Sequence, residues 1–146
     1  MSITIDIDVH SGDWSEKSHN IVERGIRAVL AHEKVDEAEA SVVLGNDDFV
    51  QGLNRDYRSK DKPTNVLSFP QELPMLGDSI FAFETITREA EAQGKSFDDH
   101  LLHLSVHSTL HLLGYDHIDD HEAEEMEAIE IEILNSLGVK NPYEIS

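Results

Sequence analysis

Residues 98–117, DDHLLHLSVHSTLHLLGYDH, constrain this chain more than any other stretch. Read as a helix, they are apolar almost all round, and such a helix is stable only when other elements cover it. Leu102, Val106, Leu110 and Leu113 form one stripe and Leu101, Leu104 and Leu112 cover the far side, with only the small Ser105, Ser108 and Thr109 between them. The remaining chain must therefore wrap this segment.

A neighbouring stripe carries His100, His103, His107 and His111. Spacings of three and four residues stack side chains on one helical face, so His107 and His111 can address a single ion. Gly114 can take the left-handed conformation that ends a helix and swing His117 back towards that pair. Burying neighbouring imidazoles costs desolvation unless each finds a partner, and a shared metal serves several at once. We expect a metal site of His107, His111 and His117, with His100, His103 and His121 around it or exposed. The chain has no cysteine, so its ligands must be histidine or carboxylate. Three histidines leave a coordination position open for water, the arrangement of catalytic zinc. Zinc lowers the pKa of its water to about 7 and supplies hydroxide at neutral pH. Imidazole also suits nickel, copper and iron; one Zn2+ per chain is expected because zinc has no redox side reactions.

The flanking sequence shows what wraps the helix. Ile3, Ile5, Ile7 and Val9 alternate with polar residues, the period of a half-buried strand. Ser15 caps a helix whose face is Ile21, Val22, Ile26, Val29 and Leu30, ending near His32. A strand at 40–44 follows, and Gly45-Asn46 opens a helix carrying Phe49, Val50 and Leu53. Pro63 stops it, 66–69 reads as a short strand, 70–77 as a loop and 78–83 as a fourth strand. Thr85 or Thr87 caps a helix to Gln93, Asp98 or Asp99 caps the histidine helix, and Asp119 or Asp120 starts the last one. That helix buries Met126, Ile129, Ile133, Leu134 and Leu137 and stops at Gly138. Its acids, Glu122, Glu124, Glu125, Glu127, Glu130 and Glu132, read as a solvated face. The fold class expected is α+β: one layered domain over 1–146, a small mixed four-stranded sheet packed against about five helices.

A formal net charge of −19 repels nucleic acid at long range unless cations are gathered. Four of the eleven Lys and Arg residues fall together, as Arg55, Arg58, Lys60 and Lys62. The N-terminus lacks the cations of a signal peptide and no apolar run approaches the roughly 20 residues of a membrane span, so a cytoplasmic protein is expected.

His-x-x-x-His-x-x-Gly-x-x-His is also the spacing of many zinc proteases, in which a Glu follows the first His as general base. Here Ser108 holds that place, and a hydroxyl cannot act as that base at neutral pH. The peptidase reading is demoted accordingly.

HSTLHLLGYDH, with LNRDYRSKDKPTNVLSFP upstream and the Leu76-Gly77-Asp78 segment between them, resembles the bacterial YbeY family of rRNA-maturation endoribonucleases. The resemblance implies a single-strand endoribonuclease acting on ribosomal RNA, at the 3′ end of small-subunit rRNA and in ribosome quality control. It makes His107, His111 and His117 the zinc ligands and Arg58 the basic residue needed for cleavage, with catalysis carried by Arg58 and His107. Arg55, Lys60 and Lys62 would then join Arg58 in holding RNA phosphates. Expected partners are single-stranded RNA and the small subunit or its assembly factors, with no DNA and no membrane. An alternative is a metal-stabilised assembly factor without catalysis. Two positions depart from the usual family pattern: Ser108 stands where it has Gly, and Asn65 where it has Asp. Ser108 is expected to narrow the metal pocket and Asn65, which keeps the size and loses a charge, to loosen its loop or alter the tuning of the metal.

Overall fold

The computed structural model describes residues 2–58, 64–116 and 119–143, with Arg58 described by its backbone alone. Its elements are β1 (Ser2–Val9), α1 (Glu16–His32), β2 (Glu37–Gly45), α2 (Asp47–Arg58), β3 (Val66–Pro70), β4 (Met75–Ala82), α3 (Phe83–Gln93), α4 (Phe97–Leu112) and α5 (Asp120–Ser136). The α+β expectation holds, with five helices and four strands in a mixed sheet ordered β1-β2-β4-β3. β1, β2 and β4 run parallel, and β3 closes one edge antiparallel to β4.

Strand alternation divides the side chains between two faces. On one face Ala38, Ala40, Val42 and Leu44 of β2 meet Val22, Ile26 and Leu30 of α1 and Leu101, Leu104 and Leu112 of α4. On the other, Val50 of α2 packs against Leu67, Ile80 and Ala82, joined by Leu53 and Phe69. A third cluster, with Val29, Leu102, Val106, Leu110, Met126, Ile133 and Leu134, seats α5 on α1 and α4. α4 is thus covered by the sheet, α1 and α5, as its composition requires. Its Ser105 and Thr109 hydroxyls donate to the carbonyls of Leu101 and Ser105 one turn back, which satisfies them inside the core.

Several boundaries differ from expectation. β2 starts at Glu37, and β4 starts at Met75 because pairing of Pro70 with Gly77 draws part of the expected loop into a hairpin. Gly77 has φ +131 and a Cβ there would lie 2.3 Å from the carbonyl oxygen of Phe69, so only glycine fits. Val9 is exposed, beyond the reach of the core. Neither Thr85 nor Thr87 caps α3, whose N-cap is Ala82. Instead Thr85 donates its backbone N–H and hydroxyl to Asp47, while the Asp47 N–H donates to Glu84, so α2 and α3 cap each other through acids in their first turns. α4 is capped by Ser96, which accepts from the Asp99 N–H at 3.1 Å; Asp98 and Asp99 lie in its first turn. Asp119 caps α5 as expected.

Candidate metal centre

His107 and His111 project from the last turns of α4 into a cavity of about 640 Å³, lined also by Asn65, Ser68, Pro70 and Tyr115. Their Nε2 atoms are 3.1 Å apart. Each ring is fixed from behind. His111 donates its Nδ1–H to the carbonyl oxygen of Tyr115 at 3.0 Å, and His107 donates its Nδ1–H to Oε1 of Glu130. A carbonyl and a carboxylate only accept, so both Nδ1 atoms carry a proton, and in the neutral rings both Nε2 atoms carry lone pairs. Two such lone pairs at 3.1 Å repel unless a proton or a metal ion lies between them. Tetrahedral zinc with nitrogens at about 2.0–2.1 Å holds those nitrogens about 3.3 Å apart, so the pair fits such an ion with little movement.

The turn after α4 follows from Gly114, which takes φ +104, the left-handed conformation anticipated from the sequence. Tyr115 then places its carbonyl under His111 and donates its hydroxyl to Glu33 at the end of α1. That hydrogen bond, with burial, pushes the phenol up to about 12. His117 lies outside the described residues, as do Lys60 and Lys62. Arg58 ends α2, and its side chain is outside the description. Arg55 is exposed on α2 and pairs with Asp56 at 3.3 Å.

Sequence reasoning missed Glu130, which it placed on a solvated face; the carboxylate has no exposed surface. Burial pushes it up, but hydrogen bonds from His103 and His107 outweigh that and hold it at about 2. His103 donates Nε2–H to Oε2 at 3.1 Å, and the Tyr143 hydroxyl donates to the same oxygen. The missed signal was periodic: Met126, Glu130, Ile133 and Leu134 share one helical face. His103, His107 and Glu130 offer ligand atoms within 4.8 Å of one another, a buried group able to hold a metal ion. Their contacts here are hydrogen bonds, which makes Glu130 the acceptor that orients His107 and leaves its Nε2 to face the cavity.

His100 is buried, not exposed, and donates to Glu89 at 2.9 Å; burial lowers it below the ordinary histidine value against the pull of that carboxylate. Asn65 donates to the same Glu89 at 3.0 Å, which ties its loop to α3 instead of loosening it. An aspartate there would set its carboxylate against that of Glu89. His121 is exposed at the start of α5. Ser108 does not narrow the pocket: its buried hydroxyl faces the sheet, 2.7 Å from that of Ser68 and 2.6 Å from that of Ser79. Locked there, it is remote in chemistry from a protease's general base.

The family described as "Endoribonuclease YbeY" matches residues 5–138. A protein named Endoribonuclease YbeY from Paramagnetospirillum magneticum is 48% identical, with 98% of each chain covered. Proteins of the same name from Parvibaculum lavamentivorans and Sinorhizobium fredii are 45% and 43% identical, covering 97% of this chain and 85% and 92% of their own. The solution structure of a Thermotoga maritima protein matches 92% of both chains with a TM-score of 0.62 at 24% identity, a likeness of fold. Matched along nearly its whole length, the chain belongs to the endoribonuclease YbeY family.

Proposed function

We propose that this protein is a zinc-dependent, single-strand-specific endoribonuclease of rRNA maturation, acting at the 3′ end of small-subunit rRNA and in ribosome quality control, with 1–146 working as one domain. The observation that carries the metal part is the convergence of the His107 and His111 Nε2 lone pairs at 3.1 Å. Family membership carries the RNA part. His107, His111 and His117 would hold one Zn2+, which when bound supplies Lewis acidity and neutral-pH hydroxide.

The chain's own residues do the rest. Glu130 and the Tyr115 carbonyl keep each imidazole protonated at Nδ1 and turned towards the cavity. Arg58 would pair bidentately with the phosphate oxygens, where its charge is most useful as negative charge grows. Arg55, Lys60 and Lys62 would position neighbouring phosphates without reading sequence. A chain of net charge −19 binds free RNA weakly at physiological salt, so recruitment by the small subunit or an assembly factor fits the reading. A cytoplasmic setting fits it too, and no described helix is long and apolar enough to cross a membrane.

The test is elemental analysis of the protein and of His111→Ala, with cleavage of single-stranded RNA by both and by Arg58→Ala. About one zinc per chain, lost with His111, and cleavage lost in both variants is the expected result. Product ends identify the attacking group: a 2′,3′-cyclic phosphate indicts the substrate's 2′-hydroxyl, a 5′-phosphate indicts water. Metal without cleavage, under any salt or partner, would favour an assembly factor.

A further inference from the structure

Tyr57, one residue before α2 ends, has no part in the site just described. It is 71% exposed, the most exposed large apolar side chain among the described residues. The ring is nevertheless braced: it stands edge-to-face with Phe69 of β3, centroids 6.1 Å apart and planes at 74°. Such a contact leaves at least one face of Tyr57 open. Arg55, two residues earlier, is more than half exposed and tied to Asp56 only by a surface ion pair of the kind that contributes little.

The position of β3 links this ring to the pocket. Ser68 and Pro70 line the histidine cavity, and Phe69 between them points to the other face of the sheet, where Tyr57 meets it. β3 is an edge strand. Among the described residues, β3 is therefore what separates the cavity from Tyr57.

We propose that Tyr57 is a stacking platform for a base of single-stranded RNA next to the phosphate held in the pocket, with Arg55 beside it for the adjoining phosphate. This rests on the ribonuclease reading above. Stacking suits a chain poor in cations because it recognises RNA through the π-face that every base presents, without sequence preference. It also selects single strands, since paired bases keep their faces covered in the duplex.

The test uses the full chain, with Tyr57→Leu and Tyr57→Trp, and a single-stranded oligoribonucleotide carrying 2-aminopurine at successive positions. We expect quenching at one position on binding, lost in Tyr57→Leu and kept in Tyr57→Trp. KM should rise about five- to 150-fold in the leucine variant, the span of base–aromatic stacking on truncation, with kcat and metal content unchanged. Unaltered quenching and KM in Tyr57→Leu would overturn the proposal. If the protein cuts no single strand, the ribonuclease reading fails instead, and the quenching titration, which needs no turnover, still decides the stacking.

Discussion

His107 donates its Nδ1–H to Glu130, a carboxylate on α5 with no exposed surface. The acid is itself held by His103 and the Tyr143 hydroxyl, so the orientation of one imidazole on α4 is set by three residues that never face the cavity.

Glu130→Gln keeps the volume but turns one oxygen into an N–H donor, which must then meet a donor already present. Metal affinity should fall about 10–100-fold, the usual effect of removing an acceptor behind a ligating histidine. Competition with a chromogenic chelator measures it; equal affinity in both proteins would show that Glu130 does not orient the ligand.

His100 gives stability a pH dependence. Burial, opposed by Glu89, holds its pKa below 6.5, so between the folded value and 6.5 the unfolded chain binds more protons. Its contribution is complete above about pH 6.5 and is lost as pH falls through the folded value. Thermal melts of metal-stripped protein from pH 7.5 to 5 should steepen less in His100→Gln, and parallel curves would assign the dependence to other groups.

Tyr115 works at both ends, its carbonyl on His111 and its hydroxyl on Glu33. Tyr115→Phe cuts only the second link. The expected cost is about 1 kcal/mol of stability, because the hydroxyl is partly buried, with a fall in metal affinity smaller than that of Glu130→Gln. Urea unfolding and the chelator assay report the two effects separately.

Ser108→Ala deprives the hydroxyls of Ser68 and Ser79 of a shared partner inside the core. A loss of about 1–3 kcal/mol is expected, while kcat stays near that of the parent protein. A changed kcat at intact stability would mean that this hydroxyl acts in the pocket after all.

What could be read from the sequence divides along physical lines. The α4 histidines, its buried character, the Gly114 turn and the four strands all rest on local period and chain direction, which one sequence carries. Glu130 was misread because counting acids on a helix ignores which face they occupy, and its partners come from α4 and from Tyr143. The caps at Thr85 and Asp98 were misassigned for a related reason: Asp47 reaches α3 from a different element, and Ser96 outcompetes the acids that follow it by lying one turn ahead. The direction of Ser108 depends on β3 and β4, whose approach to α4 no local pattern records.

Helix α4 meets the sheet, α1 and α5 and turns no broad face to water. Segments of this kind have no cheap local opening, because peeling them away exposes most of the interior. The amides of Val106 to Leu110 should therefore exchange with deuterium only through global unfolding, at the full free energy of the fold. The expected ligand His107 would then be as durable as the molecule itself, and the speed of metal release would be governed from the Tyr115 side.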